Sequence, residues 1–293
     1  MTAPVLADAL GPRGRRQARI ASVVAAILLA LLAAVVVRRL SDRGQLDAEK
    51  WRLLGRIEVI RFLLGGLGNT AKAAVIGMLG AMTIGALLAL ARLARTPLVR
   101  WPARVYTEFF RGFPLLLLIL FAFLGLPKLG VDLPKIWYLI LALIVYNGAV
   151  FGEIFRAGIL SLERGQMEAA EAIGLRYWQA MRLVVVPQAF RRMIPAIVSQ
   201  LVTLLKDTSL SFAVGYEELL RRGQITGEFG KNQLQALTVV AGLYLVVNFT
   251  LSQVARRLEV RQRRRYSASG IAVAGVEDLA VVTAAGQASV PNR

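Results

Sequence analysis

The sequence predicts an all-α integral membrane protein with six transmembrane helices. Three observations carry this prediction: six long apolar runs, arginines clustered at the ends of those runs, and a composition that is 56% apolar with a mean hydropathy of +0.57. A helix crosses the hydrocarbon core of a bilayer with about 20 apolar residues. The net charge of +18 would suggest nucleic acid as a partner of a soluble protein. Beside apolar runs it indicates cytoplasmic loops next to anionic lipid, so no nucleic-acid partner is expected.

The composition also excludes several kinds of chemistry. Cysteine and histidine are both absent. Disulfides, thiol chemistry, Cys/His zinc sites and acid–base catalysis by histidine are therefore excluded. The sequence Gly-x-x-x-x-Gly-Lys-Ser/Thr does not occur, so this route to ATP hydrolysis is missing as well. We expect a protein that is not an enzyme and has no catalytic residue, metal or cofactor of its own.

The first apolar run extends from Ile20 to Val37 and follows a cluster of arginines between Arg13 and Arg19. As an uncleaved span it places the N-terminus in the cytoplasm. The alternative is a cleaved signal peptide, but the run is long for one and lacks a clear cleavage site. The connector that follows is charged. Its part from Trp51 to Leu64 either lies on the membrane surface or is a solvated connector.

The second run, Ala73 to Ala91, contains small residues that suit close helix packing. These are Gly77, Gly80, Ala81 and Gly85. The third run, Gly112 to Pro127, is short, so its helix is predicted to begin earlier, near Val105. Glu108 and Arg111 would then lie three residues apart and could pair on one face.

The last three runs are Ile136 to Gly152, Met193 to Tyr216, and Leu234 to Ala255. Counting crossings from an inside N-terminus places the C-terminus and the loops after the second and fourth runs in the cytoplasm. These segments carry most of the arginines, as the positive-inside rule requires. Residues 267–293 are rich in Ala, Ser, Gly and Val and have no helical stripe, so they are predicted to be a disordered tail.

The segment from Gly165 to Pro187, GQMEAAEAIGLRYWQAMRLVVVP, follows the fourth run and is therefore predicted to be cytoplasmic. It resembles the EAA loop of permeases in importers of the ATP-binding-cassette (ABC) class. The matching positions are Glu168, Ala169, Ala170, Gly174, Val184, Val186 and Pro187. The two valines depart conservatively from the Ile-x-Leu-Pro ending of the family. The resemblance implies that Glu168, Ala169, Ala170 and Gly174 contact an ATPase subunit.

The residues of this loop predict a local structure as well. Glu168 to Ile173 and Leu175 to Val186 can form two short helices, with Gly174 giving the freedom for a sharp helix end. Pro187 is expected to stop the second helix. The alternative is an amphipathic loop helix that lies on the membrane surface.

Three further stretches resemble permeases for polar amino acids, and Gly68-Asn69-Thr70 falls where that family enters its first shared span. The stretches are FFRGFPLLLLILFAFLGLP (109–127), YNGAVFGEIFRAG (146–158) and TLLKDTSLSFAVGYEEL (203–219). The resemblance covers about residues 66–260. The helix added at the N-terminus, with GPRGRR (11–16) and GQLDAEKW (44–51) on either side of it, looks closest to permeases of glutamate-uptake systems. The resemblance implies a five-helix type I ABC importer core with one extra N-terminal helix. The predicted divisions are a cytoplasmic arm (1–19), the extra helix (20–37), an extracytoplasmic connector (38–65), the core (66–258) with the coupling loop (165–187), and a cytoplasmic basic stretch with the tail (259–293).

The function implied by this resemblance is that of a permease subunit in an ATP-driven importer of glutamate in the cell membrane. Glutamine, aspartate or a basic amino acid are alternative substrates. The implied partners are ATPase subunits that bind the ATP, a second permease in a heterodimer, an extracytoplasmic solute-binding protein and membrane lipid. An ion-driven secondary transporter and a membrane anchor without transport stay open as other classes.

Two charges interrupt the fifth run, at Lys206 and Asp207. A charge inside a span costs about 3 kcal/mol on insertion scales and marks a pathway or an ion pair. In the first interpretation Lys206 and Asp207 line the translocation route with Thr208 and Ser209, and Lys206 meets a substrate carboxylate. In the second, they pair with Glu153 or Arg156 of the fourth run.

Overall fold

A computed structural model describes residues 11–94, 96–162 and 164–269, and within them all regular structure is helical. This confirms the predicted fold class. The helices are α1 (Pro12–Asp42), α2 (Ala48–Arg52), α3 (Ile57–Leu93), α4 (Pro97–Gly112), α5 (Leu115–Gly125), α6 (Lys135–Leu160), α7 (Arg164–Ala172), α8 (Tyr177–Ala180), α9 (Val186–Asp207), α10 (Leu219–Gly230) and α11 (Gln233–Ser269). Short 3₁₀ helices lie at Leu53–Gly55, Pro127–Leu129 and Thr208–Val214, and a π-helical turn lies at Met181–Val185.

Within the described residues, five helical segments are long and apolar enough to cross a membrane. They lie in α1, in α3, in α6, in the continuous stretch Tyr177–Val214 and in α11. The bent pair α4–α5 passes the same test when it is taken as one span, which makes six. Each candidate span contains one of the six apolar runs of the sequence, or most of it.

The third span is not the continuous helix that the sequence predicted, because α4 and α5 meet at an angle of 102°. Pro114 disfavours the helical conformation in the residue before it. Phe113 accordingly has extended backbone angles, φ −82° and ψ 135°. The predicted pairing of Glu108 with Arg111 is also wrong. Glu108 instead accepts a hydrogen bond of 2.7 Å from Nε of Arg104, one turn earlier.

The centre of the fold is the pair α3 and α6, which run parallel and pack through the predicted small residues. Gly77 faces Leu143 and, further along, Gly85 faces Phe151. A Cβ atom at Gly85 would lie 2.9 Å from the backbone nitrogen of Gly152, so the two backbones approach too closely for a side chain. α9 completes this core, and small residues at such contacts are what membrane helices use to pack closely.

The predicted connector is helical at both ends, and its residues 38–42 belong to α1. α3 begins at Ile57, so residues 57–65 form its first turns. The connector is attached to the turn between α10 and α11. Asn232 Nδ2 donates to the Lys50 carbonyl (2.7 Å), and Gln235 Nε2 donates to the Gln45 carbonyl (2.6 Å). The apolar window of α1 itself has none of its residues buried, so α1 stands apart from the core.

Helices extend into the predicted divisions at both ends of the chain. Residues 12–19 of the predicted arm are helical and belong to α1. At the other end α11 continues to Ser269, so residues 267–269 of the predicted tail are helical. The remainder of the tail, 270–293, lies outside the described residues.

Candidate functional site

The first half of the coupling loop is a short helix that ends at a left-handed glycine. α7 ends at Ala172, and Gly174 has a φ of +84°. The Gly174 N–H donates to the Glu171 carbonyl (2.9 Å), and the Leu175 N–H donates to the Ala170 carbonyl (3.1 Å). This pair of bonds is a Schellman motif, whose left-handed residue is usually glycine. The predicted role of Gly174 as a helix end is confirmed.

The sequence analysis predicted that Pro187 stops the second helix of the loop, but the helical structure continues past this residue. Helical structure continues from Tyr177 through the π-helical turn into α9. The Val186 N–H bonds to the carbonyl of Met181, five residues earlier. Inside a regular α-helix, proline loses a hydrogen bond and its ring meets the carbonyl four residues earlier. A π-helical turn directly before Pro187 widens the backbone there, which explains why the helix continues.

The predicted contact residues of the loop do not all face outward. Glu168, Ala169 and Gly174 are exposed, whereas Ala170 is only 3% exposed and packs inward. Pro187 is exposed at the start of α9. Of the predicted contact residues, the loop therefore presents one carboxylate, one methyl group and the backbone turn at Gly174 to any partner.

Several large apolar side chains that the sequence analysis did not assign to the contact are also exposed on this loop, and Ile173 and Trp178 are the most exposed of them. Ile173 is 78% exposed and Trp178 is 68% exposed. Trp178 also lines an apolar groove of about 350 Å³ between the loop and the end of α3. Its lining residues are Leu90, Leu93, Ala94, Tyr177, Trp178 and Met181. Ile173 and Trp178 could have been predicted from the sequence, because they are large apolar residues inside a charged loop.

The two ends of the loop are joined by side-chain hydrogen bonds. Arg192 of α9 donates from Nη1 to the carbonyl of Ser161, the residue that follows α6 (2.7 Å). Gln188 Nε2 donates to Oε1 of Gln166 in α7 (2.9 Å). The sequence analysis missed these contacts, and the first was beyond its reach because the acceptor is a main-chain atom.

Lys206 lies in a polar groove between α9 and α11 with a volume of about 410 Å³. Lys206 itself is exposed. The groove is lined by Pro195, Ser199, Val202, Thr203, Lys206, Ser252 and Arg256. It therefore combines two cations with three hydroxyl groups, and none of its lining residues is a carboxylate.

The other three predicted pathway residues have different surroundings. Asp207 is half-buried, and its side chain makes no hydrogen bond or ion pair with any other described residue. The hydroxyl of Thr208 is fully buried and donates to the Leu205 carbonyl (2.7 Å). Ser209 donates to the Lys206 carbonyl (2.7 Å). Both hydroxyls thus bond to carbonyls one turn earlier, and neither residue lines the groove that holds Lys206.

The predicted alternative partners of Lys206 and Asp207 are already paired elsewhere. Glu153 accepts from Arg156 Nη2 on its own helix (2.5 Å) and from Arg92 at the end of α3. This network connects α3 to α6. Pairing of Lys206 or Asp207 with Glu153 or Arg156 is therefore contradicted by the geometry.

A second polar cluster, buried around Glu218, lies at the N-terminus of α10. The Glu218 carboxylate accepts hydrogen bonds from the backbone N–H groups of Leu220 and Arg221 (both 2.9 Å) and from the Tyr244 hydroxyl (2.6 Å). Thr70 of α3 lies 3.4 Å from the same carboxylate. Burial raises the pKa of Glu218, although these hydrogen bonds lower it in part. Glu218 thus joins α3, α10 and α11.

No group of three or more Asp or Glu side chains that could hold a metal occurs in the described parts of the chain. A family model described as "Binding-protein-dependent transport system inner membrane component" matches residues 81–264. That range contains the coupling loop, the Lys206 groove and Glu218.

Individual relatives resemble the chain over most of their length. Glutamate transport system permease protein GluD of Corynebacterium glutamicum is 38% identical over 77% of this chain and 84% of its own length. Glutamine transport system permease protein GlnP of Escherichia coli K12 is 35% identical over 70% of this chain and 94% of its own. The crystal structure of an amino acid ABC transporter with histidines aligns with a TM-score of 0.67 at 28% identity. That alignment covers 72% of this chain and 98% of the other.

Proposed function

This chain belongs to the family of binding-protein-dependent transport system inner membrane components, and we propose that it carries glutamate and receives ATP-driven motion through its coupling loop. It is a permease subunit of an amino acid ABC importer, a multi-pass membrane protein without catalytic activity. Importers of this kind work with an ATPase and a substrate-binding protein. ATP then binds to the ATPase subunit and not to this chain.

The observation that carries the coupling proposal is the outward presentation of the loop. Glu168, Ala169 and Gly174 are exposed on a short helix and its end, and Ile173 and Trp178 add exposed apolar surface beside them. Large apolar side chains at a soluble surface commonly mark a protein contact. We assign this surface to the ATPase subunit, with Glu168 meeting a basic group there.

The coupling proposal is tested by purification of the tagged protein from its own membranes in a mild detergent. An ATPase subunit should copurify with the wild type and be lost from Glu168→Arg and from Gly174→Arg. Glu49→Arg is the matched control, because it makes the same charge change in α2, which the proposed topology puts on the opposite side of the membrane. Loss of the ATPase from Glu49→Arg as well, or from none of the variants, would contradict a specific contact at the loop.

The polar groove around Lys206 supports a route for an acidic substrate. Lys206 and Arg256 supply two positive charges, while Ser199, Thr203 and Ser252 supply hydrogen-bonding hydroxyls. A charged group in a span without an ion-pair partner is expensive unless it faces water or a substrate. We propose that Lys206 binds a substrate carboxylate and that the half-buried Asp207 lies on the same route. Glutamate fits this groove better than a basic amino acid.

The pathway proposal is tested by labelled glutamate uptake in cells that express variants at equal membrane levels. Lys206→Ala should impair uptake and keep the bound ATPase, whereas Lys206→Arg should retain most of the uptake. Lys128→Ala, which removes an exposed lysine outside the groove, is the control. Normal uptake by Lys206→Ala would disprove the pathway role. Glutamine is the second candidate substrate, because a relative of similar identity is a glutamine permease, and competition by unlabelled glutamine distinguishes the two.

The orientation and assembly also belong to this proposal. The arginines near α1, α3 and α11 favour cytoplasmic N- and C-termini in the plasma membrane. We further propose a heterodimer with a second permease, an extracytoplasmic solute-binding protein that delivers the substrate, and surrounding membrane lipid. Because the chain has no cysteine, single cysteines placed at each loop can be labelled from either side to test the orientation.

A further inference from the structure

The C-terminal end of α6 is bonded to α9 by an arginine whose role the proposed function does not yet include. The last carbonyls of a helix have no partner within that helix and carry partial negative charge. Ser161 follows directly after α6, and its carbonyl accepts from Arg192 Nη1 (2.7 Å). The guanidinium therefore connects the residue directly after α6 to the second turn of α9.

Two other contacts lie at the same junction. Gln188 in the first turn of α9 donates to Gln166 in the first turn of α7 (2.9 Å). Gly158 of α6 lies directly against the side chain of Met193, so that a Cβ atom there would require this side chain to shift. The coupling loop thus leaves the membrane part and returns to it through one joint, which we call the loop root (Gly158, Ser161, Gln166, Gln188, Arg192 and Met193).

The loop root determines how a force on the loop reaches the spans. A displacement of α7 at an unconnected loop would be absorbed by rotation around its two ends. At a connected root it must move the end of α6 and the start of α9 together. α6 is in turn joined to α3 by the Arg92–Glu153–Arg156 network, so the loop root is connected to three spans.

We propose that Arg192 is a positioning residue that transmits motion of the coupling loop to the spans. This inference rests on the proposed function, in which the loop contacts the ATPase. It differs from that function in its prediction, because Arg192 is not assigned to ATPase contact or to the substrate route. Loss of Arg192 should leave the ATPase bound to the permease, but ATP hydrolysis should then drive less transport.

The chain offers a matched control in the neighbouring residue. Arg191 has the same charge, lies on the same turn of α9 and is exposed, and its side chain makes no hydrogen bond or ion pair within the described part of the chain. Arg191→Ala therefore repeats the loss of charge without loss of the root contact. Arg192→Lys keeps one charged donor near the Ser161 carbonyl and should restore part of the function.

The experiment measures the amount of glutamate transported per ATP hydrolysed by the complete transporter in proteoliposomes, together with the amount of ATPase that copurifies. Arg192→Ala should lower transport per ATP about fivefold or more. Arg192→Lys should fall between Arg192→Ala and the wild type, and Arg191→Ala should match the wild type. The copurified ATPase should be equal in all four proteins.

Three outcomes would overturn the inference. Transport per ATP could be the same in Arg192→Ala, in Arg192→Lys and in the control. The ATPase could be lost from both Arg192 variants but not from Arg191→Ala, which would make Arg192 a docking residue. The third outcome is absence of the ATPase from the wild type, which would remove the proposed function itself and is visible before any variant is made. If Arg192→Ala does not accumulate in the membrane, Arg192→Lys against Arg191→Ala decides, and equal ratios in these two would count against the role.

Discussion

The coupling loop and the segment around α10 (residues 215–232) both connect two spans, but they are built in opposite ways. Each contains a glutamate near one of its helices. The Glu168 side chain is exposed and makes no hydrogen bond or ion pair with other described residues, whereas Glu218 is fully buried and accepts hydrogen bonds from four neighbours. The coupling loop is thus bonded to the spans at the loop root and exposed elsewhere, whereas the α10 segment is bonded to its neighbours at both of its ends.

The attachment of the α10 segment is visible at both of its ends. At its start Glu218 and Asn69 join it to α3, the latter through a bond from Nδ2 to the Glu217 carbonyl (2.8 Å). At its end Asn232 bonds to the connector. The comparison teaches that connecting segments of one protein can serve contact with a partner or internal fixation. Burial of the carboxylate distinguishes the two better than the residue type.

The largest expected contrast comes from replacement of each glutamate by leucine. Glu218→Leu removes a helix cap and leaves the Tyr244 hydroxyl and two backbone N–H groups without their acceptor. We expect a loss of about 3 kcal/mol in unfolding free energy, since a cap contributes about 1 kcal/mol and each buried unpaired group costs about 1–3 kcal/mol. Glu168→Leu should change it by less than about 0.5 kcal/mol. Thermal unfolding of both purified variants in detergent checks this, and equal losses would refute the comparison.

A smaller contrast is expected from alanine at one glycine in each segment. A Cβ atom at Gly227 would lie 2.8 Å from Cα of Gln233, so the backbone of α10 or α11 must shift. Gly227→Ala should therefore destabilise the protein by about 1–3 kcal/mol. Gly165 has no neighbour within 4 Å of such an atom. Gly165→Ala should stabilise α7 by up to about 1 kcal/mol, and the opposite signs would appear as melting temperatures on either side of the wild type.

The smallest expected effect is a pH dependence of stability that only the buried carboxylate produces. Because burial raises the pKa of Glu218 in the folded state, the folded protein binds this proton more tightly than the unfolded chain. The stability that Glu218 contributes is present below the ordinary carboxyl pKa and is lost as the pH rises through the raised value.

The wild type should thus lose stability relative to Glu218→Gln as the pH is raised from about 4 to about 7. Melting curves of the two proteins across this range measure the difference. Glu168→Gln is the exposed control for the same substitution. A stability difference for Glu218→Gln that stays constant with pH would show that Glu218 carries no titrating charge in the folded state.

The spans could be predicted from the sequence because apolar length and flanking arginines are local properties. Gly174 was predictable for the same reason, since a left-handed helix end depends on one residue and its nearest neighbours. The bend at Pro114 was missed although the proline was visible. The apolar run continues across it, and the count of apolar residues outweighed the restriction on Phe113.

The contacts that organise the functional segments were not predictable, because they join residues far apart in the chain. Thr70 and Glu218 are separated by 148 positions, and each stood in a stretch quoted only for its resemblance. Arg192 bonds to a main-chain atom, which leaves no signature in the residue type of Ser161. Ala170 was assigned to the partner surface, but which face of α7 packs inward depends on the spans below it.

The π-helical turn before Pro187 has a geometric consequence for the whole importer. Such a turn holds one residue more than an α-helical turn, so it advances the side chains by less than the α-helical value of about 100° per residue. The turn at Met181–Val185 therefore absorbs one extra residue while α8 and α9 keep nearly the angular positions of an uninterrupted helix. Deleting one residue there would leave Trp178 facing nearly the same direction, but it would place the ring of Pro187 against the carbonyl four residues earlier. The extra residue thus allows the coupling loop and α9 to form one continuous helical unit across a proline.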